Sequence, residues 1–181
     1  MLIYVYKMYI YLYSRPLWLI ALLIVIGIAL WSWLSYMLST KSPAAHHTWT
    51  FINGVLFVLS LCAILFITLL RRDADIQVTI LRPFQALLAA REEPEVWREL
   101  LMNTFLFVPF GLALSQLLPR KWAISRRVLL VVLLGIAVSI TVEWAQYHFA
   151  LGTAETDDVI CNTLGAFLGA LPILITAKTQ R

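Results

Sequence analysis

Five stretches of this sequence run for about 20 residues almost without charge, and no other feature constrains the fold as strongly. A helix of about 20 apolar residues spans the hydrocarbon core of a bilayer, and in that solvent every backbone N–H and C=O must be paired internally. Residues 17–38, 49–70, 100–118, 128–147 and 159–177 meet the length, each bounded by charge or proline. With 61% of its 181 residues hydrophobic and 13% charged, the chain has more apolar surface than a water-soluble domain of this size can bury. The expected fold is all-α: a polytopic transmembrane helix bundle of about five spans.

The segment between the second and third spans, "RRDADIQVTILRPFQALLAAREEPEVWRE", is too short in its apolar part to cross, and Arg82 and Pro83 interrupt it. It is expected to be interfacial or re-entrant. There is no internal repeat. Residues 1–13 hold Lys7 and five of the seven tyrosines, and the apolar run that follows shows no small-x-small cleavage pattern. This reads as a retained anchor preceded by an interfacial, tyrosine-rich segment.

The net charge of +4 comes from basic residues in short flanks and loops, with no single stripe that would suit nucleic acid. They read instead as topology signals. Lysines and arginines divide evenly between the two sides over the whole chain, so the short loops decide. Arg120, Lys121, Arg126 and Arg127 crowd one connection, while "HFALGTAETDD" is acidic. The basic loop and the C-terminus are therefore placed in the cytoplasm and the acidic loop outside, in a multi-pass membrane protein.

Antiparallel spans then bring Asn103, Glu143, Gln146, Asp157, Asp158 and Asn162 to one level near the outer face. Asp158, Asn162, Gly165 and Gly169 follow helical spacing, and "GAFLG" lets a neighbouring helix approach closely. Glu143 and Gln146 share a face three residues apart, and Pro109 with Gly111 is expected to break or bend the third span. Amides in such places commonly join helices, and Asp157 and Asp158 also suit a helix N-terminus. An ionisable Glu143 inside a span marks a functional cavity, able to hold a proton, bind a cation or act as acid or base.

Arg82 is a candidate partner for Glu143 or for a lipid phosphate. His46 and His47 are neighbours that do not share a helix face, so a hydrated loop is expected there and no metal site. Trp31, Trp33, Trp49 and Trp122 suit an interfacial belt. Cys62 and Cys161 read as apolar packing residues.

The pattern Asn103-x-x-x-Phe107-x-Pro109-Phe110-Gly111, then Glu143-x-x-Gln146, then Asp157-Asp158-x-x-x-Asn162-Thr163-x-Gly165-x-x-x-Gly169 resembles the VanZ-like family of bacterial membrane proteins. "ILRPF", residues 80–84, is similar to the segment that precedes that family's proline-glycine span. The resemblance covers about residues 76–175 and divides the chain into an N-terminal part, 1–75, and a VanZ-like part, 76–177. Two departures stand out. The family's arginine shortly before the paired aspartates is replaced by the region of Gly152 and Thr153, and its asparagine near Pro83 is absent, with Arg82 the candidate to restore positive charge.

The resemblance implies an envelope protein related to one associated with teicoplanin resistance, without a settled chemistry or cofactor. The reading drawn from the residues is an outer-leaflet cavity that binds a lipid headgroup or a lipid-linked cell-surface glycan precursor. One alternative is a hydrolase or transferase using Glu143 and Asp158 as catalytic carboxylates. Another is an ion-coupled transporter.

Overall fold

The computed structural model describes residues 17–39, 43–70, 76–90 and 94–174. The tyrosine-rich N-terminal segment lies outside them. In chain order the elements are α1 (Leu17–Ser39), α2 (Pro43–Leu65), a wider π-turn continuing it (Phe66–Leu70), β1 (Ile76–Ile80), α3 (Gln85–Ala89), α4 (Pro94–Leu117), α5 (Ile124–His148), β2 (Leu151–Glu155) and α6 (Thr156–Ala170).

The fold is an all-α bundle. Among the described residues four stretches are long and apolar enough to cross a membrane: Ala45–Leu69, Val96–Leu117, Ile124–His148 and Thr156–Leu174. The 23-residue α1 coincides with the first expected span. Prolines stand at the first helical position of α2 and of α4, where a missing N–H costs no hydrogen bond. α4 is central, packing most extensively on α6 and next on α2. Its Phe107 and Phe110 join Ile64, Val131, Val142 and Ala166 in the core. The outward faces stay apolar: Val58, Leu129, Leu133 and Ile140 are exposed, as suits contact with lipid chains.

Small residues set the helix spacing. A Cβ on Gly165 would collide with the Thr104 carbonyl, one on Gly169 with the Val108 carbonyl, and one on Gly111 with the backbone of Ala166. The expected close approach at "GAFLG" is thus made by α4. Pro109, however, does not break α4, which is helical throughout Pro94–Leu117. The space beside Gly111 is filled by α6 and does not open a site.

The segment expected to be interfacial or re-entrant contains β1 and the five-residue α3. Unexpectedly, β1 pairs in parallel with β2, from Ile76 opposite Leu151 to Ile80 opposite Glu155. Non-helical backbone near a membrane needs internal partners, and each strand supplies the other's. Gly152, paired with Gln77, has φ 136°, a conformation that disfavours any side chain.

Two expectations about α2 are corrected. His46 and His47 lie in its first turns, not in a hydrated loop, because the helix begins at Pro43. Trp49 is 3% exposed and is no belt residue. It packs on Trp31 with ring centroids 4.7 Å apart, and its indole N–H donates to Ser35 Oγ across 3.1 Å. A buried indole needs such a partner, and α1 provides it. Cys62 is exposed on the outer face of α2 and Cys161 is half-buried; both are free thiols.

Candidate functional site: a carboxylate and amide cluster where α4, α5 and α6 meet

All ten acidic residues fall within residues 73–75, 92–99 and 143–158 of the sequence, and among the described residues Glu143, Glu155, Asp157 and Asp158 lie at one end of the bundle. The N-terminal part of α4, the C-terminal part of α5 and the start of α6 meet there, with the β1–β2 pair and α3 beside them. This end brings together the side chains singled out by sequence, but it gives each a different partner.

Asn103 Nδ2 donates to Asp158 Oδ1 across 2.6 Å, joining α4 to α6. Asp157, only 5% exposed, turns the other way. Its two carboxylate oxygens accept the backbone N–H groups of Phe84 and Ala86 at 2.5 and 2.7 Å. Phe84 takes a left-handed conformation with φ 65°, which aims these N–H groups at one acceptor. Thr156 adds a longer bond, its hydroxyl donating to the Ile80 carbonyl at 3.4 Å. The "ILRPF" stretch is thereby held to the start of α6 by a charged acceptor on donors that would otherwise go unpaired.

Glu143, buried near the end of α5, accepts the Glu155 N–H through Oε2 at 2.9 Å. Gln146 Nε2 donates to the Thr68 carbonyl in the π-turn at 3.1 Å, and Asn162 Nδ2 to Ser139 Oγ at 2.9 Å. Asn162 therefore leaves the stripe that Asp158, Gly165 and Gly169 present to α4. At about 100° per residue it sits some 40° round from Asp158, enough to face α5. Arg82 is exposed on the rim, two residues before Phe84.

Ser139 and Thr68 were not singled out from sequence. Ser139 had a signal, lying four residues before Glu143 on the same face of α5. Thr68 had none, because its backbone carbonyl is the group used.

Three side-chain atoms of this region are buried without a protein partner: Gln146 Oε1, Asn162 Oδ1 and Thr163 Oγ1. The Gln146 orientation follows from its partner, since the Thr68 carbonyl can only accept and so faces Nε2. Gln146 thus keeps an acceptor oxygen unused, in the same cluster as the carboxylates of Glu143 and Asp158. Such a set favours a ligand rich in donors, hydroxyl or ammonium. Among the described residues no group of three or more His, Cys, Asp or Glu side chains gathers as a metal site would require.

Protein VanZ of Enterococcus faecium is 37% identical over 73 residues, which make up 40% of this chain and 42% of that protein. The matched part is less than half of that relative's length. No solved structure matches the chain. The profile described as VanZ/LLP1 matches residues 17–177, taking in α1 and α2 as well as the carboxylate cluster, and the chain is accordingly a membrane protein of the VanZ/LLP1 family.

Proposed function

We propose that the acidic end of the bundle faces outward from the bacterial cytoplasmic membrane and binds a polar lipid headgroup or a lipid-linked cell-surface glycan precursor through its hydroxyl or ammonium donors. The observation that carries this reading is the unused acceptor of Gln146. That side chain is 1% exposed, yet Oε1 has no protein partner, one helical turn from the buried Glu143. A buried acceptor left unpaired costs about 1–3 kcal/mol, and a donor-bearing ligand would offset that cost. Binding is favoured over acid–base catalysis by Glu143 and Asp158 because each already accepts a hydrogen bond that ties the protein together, Glu143 from the Glu155 N–H and Asp158 from Asn103.

By relation to VanZ, the consequence of binding would be reduced susceptibility to teicoplanin. The test is growth in teicoplanin of cells expressing the chain or its Glu143→Gln and Asp158→Asn variants. Both variants should reach the membrane at normal levels and lose protection. If they fail to accumulate, the carboxylates serve the fold; if they accumulate and protect fully, the binding proposal fails.

A further inference from the structure

The opposite end of the bundle has the reverse chemistry. No Asp or Glu occurs in residues 1–72, 100–142 or 159–181, so Arg120, Lys121, Arg126 and Arg127 have no carboxylate nearby in sequence. Arg127 is nevertheless 5% exposed. Its Nη2 donates to the Ser115 carbonyl at 2.6 Å, capping the end of α4, while its Nε is buried with no protein partner. Arg120 lies within electrostatic reach of both Arg127 and His46.

A hydrogen-bond relay runs beside Arg127. The Trp49 indole N–H donates to Ser35 Oγ, and the Ser35 hydroxyl donates in turn to Gln116 Oε1 at 3.1 Å. With Oε1 paired to Ser35, Gln116 Nε2, a donor, is the buried atom without a partner. His46 Nδ1 is a third. At the acidic end Gln146 leaves an oxygen unpaired; among the described residues at this end the buried unpaired side-chain atoms are nitrogens of Arg127, Gln116 and His46. A buried guanidinium is stable only beside negative charge or strong acceptors, and one backbone carbonyl satisfies only part of it.

We infer that the ends of α2, α4 and α5 form a second binding site, for a phosphate-bearing anion, with Arg127, Gln116 and His46 as donors and Arg120 as a further positive charge. A tetrahedral oxyanion suits guanidinium donors in number and geometry, and its charge replaces the carboxylate that this end lacks. It has two natural sources: the headgroup of an anionic phospholipid, or phosphate from solution. This site is separate from the headgroup site proposed at the acidic end and stands without it.

The test uses the detergent-purified full chain titrated with phosphatidylglycerol, with diacylglycerol of the same acyl chains, and with inorganic phosphate. It is read by melting temperature and by adducts retained in native mass spectrometry. Phosphatidylglycerol should raise the melting temperature where diacylglycerol does not, and apparent affinity should fall about tenfold in Arg120→Gln, the loss of one charge-assisted contact. Arg120 is exposed, so that variant keeps its fold even if Arg127→Gln does not. A response to phosphatidylglycerol alone identifies a lipid headgroup, and one that inorganic phosphate reproduces identifies the free ion; either upholds the site. Equal stabilisation by diacylglycerol, no response to either phosphate probe, or an unchanged response in Arg120→Gln overturns it.

Discussion

Asn103 and Asp158, 55 residues apart in sequence, are joined by a 2.6 Å hydrogen bond that ties the N-terminal part of α4 to the first turn of α6. Below it the two helices are close enough for Gly165 to lie against the Thr104 carbonyl and Gly169 against that of Val108. The polar contact and the small-residue contact are successive levels of one interface.

That relationship is measurable. A double-mutant cycle on Asn103→Ala and Asp158→Ala, read by thermal unfolding in detergent, should give a coupling of about 1 kcal/mol, in the range of hydrogen bonds between membrane helices. Additive single effects would mean that the bond adds nothing to the α4–α6 contact.

The glycines divide into two classes. Gly165→Ala and Gly169→Ala should each destabilise the protein by about 1–3 kcal/mol, because the new methyl meets backbone that cannot move aside. Gly27→Ala and Gly54→Ala, with nothing within 4 Å of the new methyl, should be neutral or slightly stabilising through helix propensity. Melting temperatures of the four variants check both halves of the statement.

Asp157→Asn should loosen the segment from Ile80 to Ala90 while leaving the helices in place. The amide offers one acceptor oxygen where the carboxylate offers two, and its NH2 would face a backbone donor. A loss of about 1–3 kcal/mol is expected. Hydrogen exchange should accelerate at Phe84 and Ala86 in the variant; unchanged protection there would show that other contacts hold the segment.

Burial of Trp49 separates it from Trp33, which is 58% exposed. In single-tryptophan variants reconstituted with brominated lipid, Trp33 fluorescence should be quenched and Trp49 fluorescence should not. Trp49→Phe should cost about 1 kcal/mol, since ring packing is kept while the bond to Ser35 is lost.

Orientation is open to direct labelling. After Cys62 and Cys161 are replaced, a single cysteine at Thr153 should react with an impermeant maleimide added to intact cells, and one at Lys121 only after lysis. The reverse pattern would put the acidic end in the cytoplasm and remove the proposed outer-leaflet ligand.

The sequence by itself determined the all-α bundle of long apolar helices, because a bilayer demands long apolar runs. It also determined that Asn103, Glu143 and Asp157 to Asn162 share one end, because successive spans must alternate in direction. Even the close approach at Gly165 and Gly169 was visible as a spacing. What only the tertiary structure decided was the partner of each polar group.

Nothing local makes Asp157 face the backbone of Phe84 while its neighbour Asp158 faces Asn103, or pairs residues 76–80 with 151–155. Such choices rest on segments far apart in the chain, and five-residue strands are too short to announce themselves by periodicity. Trp49 shows the same limit. An indole near a helix end suits the water interface or the core equally well, and the packing of α1 across α2 decides between them.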